Sequence, residues 1–196
     1  SAGKYSIAVE PLAQNLDYLY ANVDANKWSD VEVHPFGLGE QPGIATLYGG
    51  GTGASLIRGW AGASLLLQRK ISLSTLDILL GDRFPGKKLL IKVDVEGAEF
   101  ALLRGAGNIL CRTPAPVWIM EIGLTEHRPE GFNSEFAKTF EVFWNHGYQS
   151  WTADAERRAT TREDVERWAN SRKKEFGGRN YLFIKKQDIR TEVSAS

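Results

Sequence analysis

Cysteine, methionine and histidine are scarce in this chain: one Cys, one Met and three His in 196 residues. A single Cys111 excludes an intramolecular disulfide and any cysteine-cluster zinc site. It reads as a buried thiol near a helix end, compatible with a reducing cytosol. His34, His127 and His146 lie far apart, so no paired-histidine ligand motif can be read and no metal is expected. His127 stands apart from the other two because it follows Glu121 in a polar loop, beside Glu126. No apolar run nears the ~18 residues of a membrane span, and no signal-peptide pattern is present. An excess of one charge is also lacking: Lys+Arg 24 against Asp+Glu 24 leaves a net charge of zero, which argues against a dedicated nucleic-acid binder. Repeats and low-complexity linkers are missing too. The expectation is one domain over residues 1–186 with a frayed tail at 187–196, in the cytoplasm.

What is present is a hydrophobic content of 42%, enough for an ordinary globular core, and a series of apolar strands that end in acids. The most informative is Leu89-Leu90-Ile91-Lys92-Val93-Asp94-Val95-Glu96-Gly97-Ala98-Glu99. A buried strand that ends in two acids and then opens a helix, here Phe100 to Cys111, is where open α/β sheets put their chemistry. Strand alternation puts Lys92, Asp94 and Glu96 on one face, with Lys92 paired to an acid of that face. The plainer alternative is that one acid caps the following helix. Tyr5 to Val9 is a second such strand, closed by Glu10-Pro11 and followed by a helical stripe of Leu12, Leu16, Leu19, Tyr20 and Val23. Glu10 reads either as a ligand for ribose hydroxyls or as a helix cap. Val117 to Ile122 again ends at an acid, Glu121.

Between these lie shorter elements. Val31 to Phe36 is a strand near an edge, Ile44 to Tyr48 another, and Gly49 to Gly53 a flexible loop without the Gly-Lys-Ser/Thr of a P-loop. Ile71 to Leu73 alternates like a strand, and Ser74 to Leu80 starts a short helix with Leu76, Leu79 and Leu80 inward. Ser134 to His146 carries Phe136, Phe140, Phe143, Trp144 and Tyr148 at helical spacing, a core stripe. Thr160 to Phe176 opens on a capping-box spacing, Thr160 and Glu163. Its Arg172-Lys173-Lys174 group faces solvent, and Tyr181 to Ile184 is the last strand.

The ordered set of segments resembles the FkbM family of S-adenosylmethionine-dependent methyltransferases. The matching pieces are Ala8-Val9-Glu10-Pro11 with Asn15, Leu19 and Asn22; Phe36 to Glu40; Gly49 to Leu56; Ser74 to Asp77; Leu90 to Glu99; Leu103 to Ala106; and Pro116 to Glu121. The resemblance implies a Rossmann-like three-layer α/β/α sandwich with a mostly parallel sheet. It implies a β-hairpin insertion between residues 44 and 73. It also implies methyl transfer, most naturally to a hydroxyl of a sugar, polyketide, glycan or similar small-molecule acceptor. The family's D-x-G-A-N-x-G loop has no counterpart upstream of Tyr5. The resemblance therefore implies an N-terminally truncated version that lacks its central strand and binds S-adenosylmethionine weakly or not at all as it stands. A chain that lost this loop would be a non-catalytic remnant or partner-binding module, the alternative to an enzyme. A nicotinamide-dependent dehydrogenase also uses a strand-tip acid, but the pattern at Asp94 to Glu99 has no role there.

By the same resemblance, Glu10 binds the cofactor ribose and Gly37 and Leu38 lie against its adenine. Asp94 serves as cofactor ligand or base. For a hydroxyl acceptor a carboxylate must orient the group and take its proton, and Asp94, Glu96 and Glu121 are the candidates. Asp77 serves as the contrast: Asp94→Asn should lower turnover more than Asp77→Asn.

Overall fold

The computed structural model describes residues 5–186. The chain runs β1 (Ser6–Val9), α1 (Ala13–Asn26), β2 (Val31–His34), β3 (Gly37–Leu38), β4 (Gly43–Tyr48), β5 (Gln68–Ser74), α2 (Leu76–Leu80), β6 (Leu90–Val93), α3 (Glu99–Arg104), α4 (Gly107–Cys111), β7 (Val117–Glu121), α5 (Phe136–Asn145), β8 (Tyr148–Thr152), β9 (Ala159–Thr160), α6 (Arg162–Ser171) and β10 (Asn180–Lys185). The predicted tail at 187–196 lies outside the described residues.

The fold is mixed α/β, but the strands form three sheets instead of one mostly parallel sheet. β1 pairs with β2, β3 and β4 flank β5, and a five-stranded sheet runs β6-β7-β10-β8-β9. Pairing is parallel for β1 with β2, β3 with β5 and β6 with β7. It is antiparallel for β4 with β5 and for every step from β7 to β9. Among the described residues no strand pairs with the second edge of β1 or of β6. These two free edges flank one cavity, and they are why β6 is half open instead of buried. Leu90 is 69% exposed and Lys92 is exposed too, while Val93 on the opposite face is buried.

The main core sits between the large sheet and α2 to α6. Phe136, Phe140 and Phe143 recur at the helical period and are fully buried on the inner face of α5. Phe143 stacks on Phe183 of β10 at a centroid distance of 3.8 Å, and Phe140 meets Tyr181 edge-on at 4.8 Å. Such pairs add to the area these rings bury. Tyr148 is also buried, but it opens β8 instead of continuing the helix.

The predicted helix from Phe100 to Cys111 is two short helices. A Cβ at Gly105 would sit 2.2 Å from the carbonyl oxygen of Gly39, so the backbone crosses there at a distance only glycine permits. Asp77 then restarts the chain as α4: its two carboxylate oxygens accept from the backbone N–H groups of Asn108 and Ile109, each at 3.0 Å. Cys111, expected to be buried, is exposed, because α4 buries Ile109 and Leu110 and turns its last residue outward. The capping box of α6 is Thr161 with Asp164, one residue beyond the predicted pair Thr160 and Glu163. Lys174, expected in solvent, has a side chain only 6% exposed, 3.6 Å from Glu126. Its ammonium donates to the carbonyl of Gly178 at 2.7 Å and lies over the rings of Phe176 and Tyr181. Burial pushes its pKa down, opposed by Glu126.

Candidate active site

A cavity of about 670 Å3 opens between β1 and β6. Its walls are apolar along the two free edges, with Ile7 and Val9 on one side and Ile91 and Val93 on the other. The polar lining comes from Glu10, Asn15, Thr52, Asp94 and Glu96 together with several lysines. Three of the predicted site acids thus face one space from two different strand ends. Glu121 is the exception. It does not line the cavity, although the register Val93 to Met120 puts it beside Asp94 at the end of the neighbouring parallel strand.

Glu10 continues β1, its N–H donating to the carbonyl of His34 at 3.1 Å. One carboxylate oxygen accepts from the N–H of Leu12 at 2.8 Å, the other from the Asn15 amide at 3.2 Å. Glu10 thus braces the backbone of Leu12, the residue before α1, and lines the cavity. An ionised carboxylate has about four acceptor positions, so two remain for a ligand. Asn15 also donates to the carbonyl of Gly51 at 3.3 Å, which fixes the Gly-rich loop beside Glu10. Gly37 and Leu38 line the same cavity. At Gly37 a Cβ would lie 2.8 Å from a terminal methyl of Leu73 and 3.1 Å from that of Ile71, so those two side-chain ends would have to shift to admit it. Asn22 contributes only its carbonyl, which accepts from Asn26.

Asp94 and Glu96 are held in different ways. Lys92 donates to Asp94 at 2.7 Å, as alternation along β6 predicts, but both side chains are well exposed. In such a setting the pair contributes little stability and leaves Asp94 free to reorient. Glu96 is not on a strand face at all. β6 ends at Val93, and Glu96 has φ of 50°, a left-handed conformation unusual for a side chain of this size. Four contacts hold that turn. The Trp60 indole N–H donates to the Glu96 carboxylate at 2.9 Å, and Ser55 Oγ donates to the Glu96 carbonyl at 2.6 Å. Arg128 donates to the carbonyl of Gly97 at 3.0 Å, and the N–H of Gly97 donates to Glu99 at 2.8 Å. Gly97 has φ of 97°, and a Cβ there would come within 2.6 Å of both Trp60 and Ile57.

Glu99 is buried, with Arg128 3.9 Å away. Burial pushes its carboxyl up to about 7, with the Gly97 N–H and Arg128 acting against that shift. The Arg128 guanidinium lies 5.1 Å over the Trp60 ring, and its Nε is buried without a partner. None of Ser55, Trp60, Glu99 or Arg128 was singled out by sequence. The only signals were the place of Glu99 in the acidic stretch and of Ser55 in the matching segment Gly49 to Leu56.

Glu121 has its pKa raised by partial burial and by the nearby Asp94 carboxylate, against Arg179 at 3.2 Å. A raised pKa makes it a stronger proton acceptor than an unperturbed carboxylate. His127 packs its ring 5.8 Å from Trp60. Glu126 accepts from the N–H groups of Leu124 and Thr125. Among the described residues no group of three His, Cys, Asp or Glu could hold a metal ion, and no helix is long and apolar enough to cross a membrane. The donor set fits S-adenosylmethionine in kind: a carboxylate with free lone pairs for a diol, apolar walls for a ring, and further carboxylates at the far strand end for a cationic group.

No protein of curated function matches the chain. The crystal structure of a methyltransferase FkbM from Methylobacillus flagellatus KT is similar, with a TM-score of 0.50 at 18% identity. That likeness, which concerns the fold alone, covers 92% of this chain and 36% of the other, so this chain spans about a third of the length of its structural relative. The family model for the methyltransferase FkbM domain matches residues 1–150, so the chain belongs to the FkbM methyltransferase family.

Proposed function

We propose that the chain is the cofactor- and acceptor-facing part of an S-adenosylmethionine-dependent methyltransferase of the cytoplasm, acting on a hydroxyl of a sugar, polyketide or glycan-type metabolite. One observation carries this reading: in a chain of this family, Glu10 at the end of β1 and Asp94 and Glu96 at the end of β6 open onto the same cavity. The cofactor, when bound, supplies an electrophilic methyl group on a sulfonium. The residues of this chain do the rest. Glu10 accepts from the ribose hydroxyls with its two free lone pairs, while Asn15 keeps its carboxylate turned to the cavity. Gly37 and Leu38 supply the surface for the adenine. Asp94, tethered only by an exposed lysine, orients the acceptor or the amino group of the cofactor. Glu96, pinned by Trp60, holds a fixed negative charge at the strand end. Glu121 takes up the acceptor proton through Asp94, the direction in which its raised pKa favours transfer.

The test is an NMR titration with S-adenosylmethionine, which reads weak binding as well as strong. Wild type is compared with Glu10→Gln and Asp94→Asn. Shifts confined to residues around the cavity, weakened about tenfold or more in Glu10→Gln, are expected, since one lost charge-assisted bond is worth about 1.5–3 kcal/mol. Unchanged binding in both variants would remove the cavity from the reading. A second reading, a non-catalytic partner-binding module, is favoured by the two free strand edges along the apolar wall. It is the reading to adopt if neither wild type nor any variant shifts at all.

A further inference from the structure

We infer that the tip Leu65-Leu66-Leu67 is a docking element for an anionic lipid surface. Residues 41–76 contain no Asp or Glu, and they carry Arg58, Arg69 and Lys70, within a chain whose charges cancel only when taken as a whole. The rest of the molecule pairs many of its cations: Arg83 with Glu32, Lys92 with Asp94, Arg104 with Glu40 and Arg179 with Glu121. None of Arg58, Arg69 and Lys70 has an acid within ion-pair distance among the described residues, and Lys70 instead donates to the Thr46 hydroxyl at 2.7 Å. Arg58 and Lys70 are exposed and Arg69 is half-buried, and cations without an acid beside them suit an anionic partner.

The same segment carries three consecutive exposed leucines. Leu65 is 43%, Leu66 91% and Leu67 54% exposed. A run of this kind at a loop tip serves no core, and exposed apolar side chains close in sequence to basic ones are the pattern of a peripheral membrane anchor. The tip is also shaped. The N–H of Leu66 donates to Ser64 Oγ at 3.3 Å and that of Leu67 to the Ser64 carbonyl at 3.2 Å, closing a turn that leaves the leucines outside. Its base is joined to the Gly-rich loop by the N–H of Gly49 donating to the Leu67 carbonyl at 2.8 Å. Gly51 and Thr52 of that loop line the cavity. Docking through the tip therefore sets this side of the cavity toward the lipid surface.

The experiment is flotation of the whole chain with vesicles of phosphatidylcholine alone and of phosphatidylcholine with phosphatidylglycerol, with sedimentation velocity on the free protein. The variants are Leu66→Asp, Arg58→Gln with Arg69→Gln, and Tyr18→Asp as a control on an exposed apolar residue of α1. Wild type should float with the anionic vesicles only. Leu66→Asp should lower the vesicle-bound fraction at least tenfold, the double arginine variant severalfold, and Tyr18→Asp should behave as wild type. Flotation that ignores lipid charge, that survives Leu66→Asp, or that never occurs overturns the inference. So does a dimer that Leu66→Asp dissolves without any flotation, since a second copy would then be the occupant. The assay contains no S-adenosylmethionine, so its failure and a failure of the cofactor titration are separate results.

Discussion

Trp60 and Glu96, 36 residues apart in sequence, meet through a 2.9 Å hydrogen bond from the indole N–H to the carboxylate. The bond joins the loop before β5 to the turn after β6, and it decides which of the two strand-tip acids is fixed. Trp60→Phe keeps most of the buried ring and removes the donor. The expected outcome is a free Glu96 carboxylate, a loss of about 1–3 kcal/mol in stability from a charge-accepting bond in a partly buried place, and altered shifts for residues 94–97 in an NMR spectrum. A spectrum unchanged around Glu96 would show that the turn does not depend on Trp60.

Asp94 and Asp77 separate chemistry from architecture. Asp77 accepts two backbone N–H bonds at the start of α4, so Asp77→Asn should cost about 0.5–1 kcal/mol in thermal unfolding and leave cofactor binding as it was. Asp94 makes only an exposed pair with Lys92. Asp94→Asn should leave the melting temperature within about 1 °C, because exposed pairs contribute so little, and weaken cofactor binding or turnover. Equal effects of the two changes on binding would take Asp94 out of the site.

Glu99 gives the fold a pH dependence with a definite sign. Its carboxyl is raised to about 7 in the folded chain from an ordinary value of 4.5, so the folded state holds a proton that the unfolded state has released. The stabilisation is complete below about 4.5 and is lost as pH rises through 7, with a slope of at most about 1.4 kcal/mol per pH unit in that window. Urea unfolding of Glu99→Gln at several pH values should lose that slope. A slope equal to that of wild type would assign the dependence to another group.

Gly105 marks the break between α3 and α4. Gly105→Ala drives a methyl group against the Gly39 carbonyl and the side chain of Thr75. Backbone on one side cannot yield as a side chain would, so the expected loss is about 3 kcal/mol or more in denaturant unfolding. A cost within about 0.5 kcal/mol would mean that the crossing is looser than 2.2 Å implies.

Local pattern was enough for much of the architecture. The apolar runs of β1, β6 and β7 and the 3.6-residue stripe of Phe136, Phe140 and Phe143 follow from side-chain period, while the antiparallel pairing of β4 with β5 was expected only from the family resemblance. The acids at three strand ends were legible for the same reason: a charge that closes an apolar run stands out in one dimension. The helix break at Gly105 was not legible, because its cause is the carbonyl of Gly39, far along the chain. Nor was the burial of Lys174, which sits in a basic triplet and is covered by Phe176, Tyr181 and Glu126.

The sequence by itself therefore determined which residues are apolar, which are charged and where β1, β6, β7 and the inner face of α5 lie, because those follow from side-chain chemistry and backbone preference within a few residues. Only the tertiary structure decided how the strands group into three sheets, that Glu96 leaves the strand in a left-handed turn, and that Ser55, Trp60 and Arg128 hold it there. Those outcomes rest on contacts between segments more than 30 residues apart, and the free energy of such contacts depends on burial and approach distance, which no local pattern carries.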